Sequence, residues 1–233
     1  MTPDRSWPPK GPPRAIVFDW DNTLVETWPV IHAALHETFV TMDVEPWTFV
    51  QTKARVRHSM RETFPKLFRD RWKIARDVFY EAYEKVHLDH LEPCEGASEL
   101  LEMLNRFDVP LCVVSNKTGR YLRLEASHLG WSGYFCRLIG AGDAARDKPA
   151  PEPIALALKG SGVAPCSNVW MVGDSGVDME IAYATGLKPV VVRREPAPMG
   201  EFDEFPPSAQ FSGCIEFIEF VENFMVETSK KIQ

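Results

Sequence analysis

Short runs that are apolar at every position alternate along this chain with stretches that are apolar on one helical face. Ala15-Ile16-Val17-Phe18, Leu111-Cys112-Val113-Val114 and Val169-Trp170-Met171-Val172 have the first pattern, that of strands covered on both faces. Beyond Pro93 the order becomes regular: helix 97–107, strand 110–115, helix 119–129, strand 135–140, helix 153–159, strand 168–173, helix 177–185, strand 188–193. Such alternation predicts a parallel sheet with right-handed crossovers. Gly186 falls just past one of these helices, where a C-terminal glycine stop belongs. An acidic, proline-rich tail over residues 195–210 precedes a closing helix, Phe211 to Phe224, with Ile215, Ile218 and Val221 as its apolar edge.

Residues 25–91 carry a different rhythm. Ile31, Leu35, Phe39 and Met42 recur at helical spacing, with Thr27 as the cap and Pro29 in the first turn. Ala75, Val78, Phe79, Ala82, Tyr83 and Val86 form a second stripe, and residues 46–68 between them are helical but less regular. The expectation is an α/β protein: a Rossmann-like parallel-sheet core from residues 15–24 and 92–233, with an all-α cap inserted over 25–91. Residues 1–14, with prolines at 3, 8, 9, 12 and 13, read as an extended or disordered leader.

At 233 residues and 45% hydrophobic the chain is long enough to bury a core. Its net charge of −7 argues against nucleic acid or an anionic membrane as partner, because both require a basic field. No apolar run is long enough for a membrane span, so the expected location is the cytoplasm. Five cysteines without Cys-x-x-Cys spacing suggest neither a zinc knuckle nor a disulfide framework.

The strand ends carry the chemistry. Asp19-Trp20-Asp21-Asn22-Thr23 follows the first apolar run, and extended residues two apart point the same way, so Asp19 and Asp21 face one small volume. Paired like charges there repel unless a cation or a proton intervenes. Ser115-Asn116 ends a second run, Gly173-Asp174-Ser175-Gly176-Val177-Asp178 a third, and Lys148 sits in a loop stiffened by Pro149, Pro151 and Pro153. In an open parallel sheet such ends gather in the crevice at the carboxyl edge.

The four motifs in this order, Asp-x-Asp-x-Thr, Ser-Asn, Lys-Pro-x-Pro and Gly-Asp-Ser-x-x-Asp, resemble the haloacid dehalogenase superfamily of phosphohydrolases, over residues 14–193. Room for a helical cap after the first strand resembles its branch with phosphoglycolate phosphatases and β-phosphoglucomutase. The resemblance implies a Mg²⁺-dependent phosphatase acting on a small phosphorylated metabolite through an aspartyl-phosphate. Asp19 is then the nucleophile and Asp21 the acid and base. Ser115 and Lys148 hold the phosphoryl oxygens, Thr23 and Asn116 line the phosphate site, and Asp19, the Asp21 carbonyl, Asp174 and Asp178 hold the metal. Bland readings stand beside these: Asp178 as an acid in the first turn of a helix, and Asn116 as a helix cap.

Trp20 departs from the smaller or aliphatic residue usual in that family, and its ring either points away from the aspartates or narrows the entrance. The basic group Lys53, Arg55, Arg57, His58 and Arg61 reads first as a solvated face, with a second anionic group of the substrate as the alternative. A phosphosugar mutase using the same adduct is the rival within enzymes, and a receiver-like signalling domain the rival outside them. Nothing in the sequence indicates an oligomeric state.

Overall fold

The computed structural model describes residues 6–56 and 60–232. In chain order the elements begin with β1 (Ala15–Phe18), β2 (Val25–Glu26), α1 (Trp28–Thr41), α2 (Phe49–Arg55), α3 (Met60–Phe68), α4 (Trp72–Val86) and β3 (Glu92–Pro93). They continue with α5 (Ala97–Arg106), β4 (Leu111–Thr118), α6 (Gly119–His128), β5 (Phe135–Ala141), α7 (Glu152–Ala157), β6 (Val169–Gly173), α8 (Gly176–Thr185), β7 (Lys188–Val192), β8 (Ala209–Phe211) and α9 (Cys214–Ile232).

Two compact units result: Met1–Val25 with Pro93–Gln233, and Glu26–Glu92. The chain leaves and re-enters the first unit through β2 and β3, which pair in a ladder of their own.

In the first unit six strands lie in the order β5-β4-β1-β6-β7-β8, and every pairing is parallel. Strand β1 is central and none of its four residues is exposed, which its unbroken apolar run requires. Ala15 and Val17 share one core with Met171 of β6, Ile154 and Ala157 of α7, and Ile181 and Ala182 of α8. On the opposite face Trp170 of β6 meets Phe217 and Phe224 of α9, with ring centroids 6.3 and 6.1 Å apart. The sheet is therefore covered on both sides, as its helix–strand alternation predicts.

Two departures are instructive. The end of the acidic, proline-rich tail and Phe211, expected to open the closing helix, form β8, a sixth strand of three residues, too short for a periodic signal, and the helix starts at Cys214. The leader expected to be extended or disordered is packed over its described residues: the Trp7 ring lies 5.4 Å from Trp170, 6.0 Å from Phe211 and 4.8 Å from Phe220.

The second unit is helical. Thr48 starts α2 with a reciprocal cap, in which the Gln51 N–H donates to Thr48 Oγ1 at 3.2 Å and the Thr48 N–H to Gln51 Oε1 at 2.9 Å. Its core is aromatic: Phe39 meets Phe68 at 5.6 Å, Phe64 meets Phe79 at 5.7 Å, and Phe79 stacks on Tyr83 at 5.7 Å.

Candidate active site

Register builds the site. Phe18 pairs with Val113 of β4 on one side and Val172 of β6 on the other, so Asp19, Ser115 and Asp174 emerge one or two residues later along the same carboxyl edge. The Asp19 N–H donates to the Val172 carbonyl at 2.8 Å, which keeps the backbone extended at that point. The chain then turns: the N–H groups of Leu24 and Val25 return to the Trp20 carbonyl at 3.0 and 3.2 Å. Asn22 takes the left-handed conformation, φ 60°, that asparagine tolerates better than most side chains.

Lys148 occupies the centre. Its Nζ lies 2.7 Å from Asp19 Oδ1 and 2.7 Å from Asp178 Oδ1. The loop carrying it is tied down by Asn116, whose Nδ2 donates to the Lys148 carbonyl at 3.2 Å, so Asn116 is a loop brace here and not the helix cap of the bland reading. The second oxygen of Asp178 accepts from the Ser175 N–H at 3.1 Å and the Ser175 hydroxyl at 2.7 Å. One buried carboxylate thus caps the first turn of α8 and anchors the lysine. Gly173 makes this possible, because a Cβ there would lie 2.3 Å from Asp178 Cγ.

Asp19, Asp174 and Asp178 are all buried, and their nearest oxygens lie within 4.8 Å of one another. Burial is the main reason the Asp19 carboxyl is pushed up to about 7; the Asp178 and Asp21 charges add to it and Lys148 opposes it. Burial also holds Asp174 well above the usual carboxylate range, reinforced by Asp178 and Asp19 against Arg193 and Lys148. For Lys148 burial acts downward, but the two carboxylates outweigh it and raise the ammonium above the ordinary lysine range. With all groups ionised, three carboxylates face one ammonium, leaving two negative charges unbalanced. An all-oxygen donor set with that excess fits a hard divalent cation.

Ser115 is buried at the end of β4, and its Oγ accepts from the Lys117 N–H at 3.1 Å, leaving the hydroxyl hydrogen to point elsewhere. Thr23 is also buried, and its hydroxyl has no hydrogen-bond partner among the described residues. The Asp21 carboxylate is not part of the acidic triad. Its Oδ1 lies 2.6 Å from Lys117 Nζ, so the two aspartates of the first motif each have a lysine of their own.

Lys117 was not among the sequence candidates, nor was Glu125, which binds it at 2.6 Å. Their signals were a lysine directly after Ser-Asn, and a charge on the apolar stripe Tyr121, Leu122, Ala126 of α6. Arg193 was also missed; it donates to the Asp174 carbonyl at 3.2 Å and to Glu201 at 2.9 Å. The Trp20 ring points away from the aspartates, fully buried between Trp131 at 5.7 Å and Phe135 at 6.3 Å, and so does not narrow an entrance. Of the basic group on the second unit, Lys53 lies over Phe49 and Arg55 over Trp47, at 4.9 and 5.0 Å; Arg57 and His58 fall outside the described residues.

The family model for haloacid dehalogenase-like hydrolases matches residues 16–192, the stretch that contains Asp19, Asp21, Ser115, Lys148, Asp174 and Asp178. The chain belongs to the haloacid dehalogenase-like hydrolases. It is an enzyme, and a phosphoglycolate phosphatase of Aquifex aeolicus is 27% identical to it over 179 residues, covering 75% of this chain and 82% of that protein. A Clostridium perfringens protein named "Putative pyrophosphatase PpaX" is 26% identical over 214 residues, covering 90% of this chain and 97% of its own length. A haloacid dehalogenase-like hydrolase from Streptococcus pneumoniae shares the fold, with a TM-score of 0.78 at 21% identity over 88% of this chain and 97% of that one.

Proposed function

We propose that this haloacid dehalogenase-like enzyme is a Mg²⁺-dependent phosphatase that hydrolyses a small phosphomonoester, phosphoglycolate-like or a sugar phosphate, through a phosphoryl group carried on Asp19. The observation that carries the reading is the buried Asp19–Lys148–Asp178 chain with Asp174 beside it, at the carboxyl edge of the sheet.

Asp19 attacks phosphorus, the bond to the departing alcohol breaks, and Asp21 gives that oxygen a proton. Asp21 then takes a proton from the water that opens the aspartyl-phosphate, releasing inorganic phosphate and restoring Asp19. Lys148 and the Ser115 hydroxyl hold phosphoryl oxygens, with Thr23 lining the same site and Asn116 keeping the Lys148 loop in place. Asp19, Asp174, Asp178 and the Asp21 carbonyl would hold Mg²⁺, whose charge screens the repulsion between carboxylate and phosphate. Asp178 already has Lys148 on one oxygen and Ser175 on the other, so it would meet the metal, or a metal-bound water, through a lone pair that these contacts leave.

A chain with a net charge of −7, and with no helix among the described residues long and apolar enough to cross a membrane, suits a cytoplasmic enzyme of small metabolites. The test is to incubate the purified enzyme with a phosphate-labelled ester and quench in acid. Label should appear on the peptide containing Asp19, and Asp19→Asn should abolish both label and turnover. Turnover by Asp19→Asn at the wild-type rate would remove the covalent route. Product analysis over a panel of phosphoglycolate, sugar phosphates and pyrophosphate names the substrate and separates hydrolysis from isomerisation.

A further inference from the structure

We propose that Lys117 is a positioning residue for Asp21, fixed in place by a buried Trp20–Glu125 pair. This rests on the reading of Asp21 as proton donor and acceptor.

Four side chains close a ring: Trp20 Nε1 donates to Glu125 Oε2 at 2.7 Å, that oxygen lies 2.6 Å from Lys117 Nζ, and Lys117 Nζ lies 2.6 Å from Asp21 Oδ1. Trp20 and Asp21 are neighbours in the chain, so the ring begins and ends on the first motif. Glu125 has no exposure at all and Lys117 side-chain exposure is 5%, whereas Asp21 retains 19%. Burying a carboxylate on the apolar stripe of α6 is costly unless a specific charge meets it, and the charge that meets it is Lys117. The Trp20 ring cannot drift, because Trp131 and Phe135 hold it, and its N–H therefore sets where Glu125 ends. A tryptophan between the aspartates thus acts as the fixed end of a tether. Through Glu125 and Lys117 it holds one Asp21 oxygen and leaves the other for the departing alcohol and, later, the water. With its ammonium between two carboxylates, Lys117 serves the reaction through Asp21 and not by touching the substrate.

The experiment compares single-turnover rates at saturating ester, and KM, for an alkyl phosphate that needs a proton on its leaving oxygen and a nitrophenyl phosphate that does not. Lys117→Met should lower the alkyl rate by about 10–100-fold, the size of effect typical when a supporting shell is lost. The nitrophenyl rate should fall much less, and KM for both should stay near wild type. Lys117→Arg should restore most of the alkyl rate. Trp20→Phe, which keeps both charges but removes the indole N–H together with part of the buried ring, should show the same preference at smaller amplitude, and, with its own folding checked by thermal melting, it decides the matter if Lys117→Met is unfolded. Equal losses on both esters, or a raised KM with an intact rate, would overturn the proposal in favour of a purely structural or a substrate-binding lysine. Asp21→Asn is the reference: should it lack the alkyl preference, the acid–base reading fails. Should it show the preference while the Lys117 and Trp20 variants do not, only the tether fails.

Discussion

At the residue scale the site is a problem of charge in a confined volume. Asp19, with an ordinary carboxyl value of 3.8, is pushed to about 7, chiefly because the fold takes it out of water. Its charged form is therefore less favourable folded than unfolded. The stability it contributes is fully present below about pH 4 and is lost as pH rises through about 7. In chelator, the melting temperature should therefore fall between pH 5 and pH 8. Added Mg²⁺ should restore it more at pH 8 than at pH 5, and Asp19→Asn should flatten the slope. A chelated wild type that melts at the same temperature throughout this window would contradict the account. Asp19, Asp174 and Lys148 were legible in the sequence because strand alternation and motif order point to one edge. The ring through Lys117 was not, since an ion pair between the end of β4 and the first motif, backed by a carboxylate of α6, has no local spacing that announces it.

At the scale of elements, the junction of β6 with α8 does the most. The strand stops at Gly173, Asp174 turns into the site, and Asp178 folds back over the glycine to take Ser175 and Lys148. Gly173→Ala should destabilise by about 1–3 kcal/mol, the usual cost of an atom forced into filled space, read from the urea midpoint. Activity should fall as well, because the carbon displaces the carboxylate that anchors Lys148. An alanine variant as stable and active as wild type would show that the close approach is soft. Helix α8 itself could be read in advance: Gly176 and Val177 open it and Gly186 ends it in the left-handed conformation, φ 71°. Strand β8 was invisible because three residues paired at the edge of a sheet carry no periodicity.

For the molecule as a whole, the N-terminal segment matters more than its composition suggests. Trp7 enters an aromatic group with Trp170, Phe211 and Phe220, joining the leader to β6, β8 and α9, and the buried Lys188 donates to the Ser6 carbonyl at 3.0 Å. Trp7→Ala should cost about 1–3 kcal/mol, below the figure for a fully buried tryptophan because Trp7 is half-buried, with chemistry at the carboxyl edge unchanged. A denaturation curve superimposing on wild type would show that the segment contributes nothing to the core. Prolines at 3, 8, 9, 12 and 13 suggested an extended or disordered leader, and only the position of one aromatic ring shows that its described residues are packed.

By itself the sequence determined the parallel α/β core, the helical insertion, and the motifs that follow three strands with Lys148 in a loop between them, because all of these follow from local periodicity and chain order. Which charges meet was decided by the tertiary structure. Lys148 serves Asp19 and Asp178, whereas Lys117 serves Asp21 and Glu125, and these pairings depend on loop geometry and on register between strands far apart in the chain. Burial settles the rest, because a carboxylate's affinity for a proton or a cation depends on the water it has lost, and no residue spells that out.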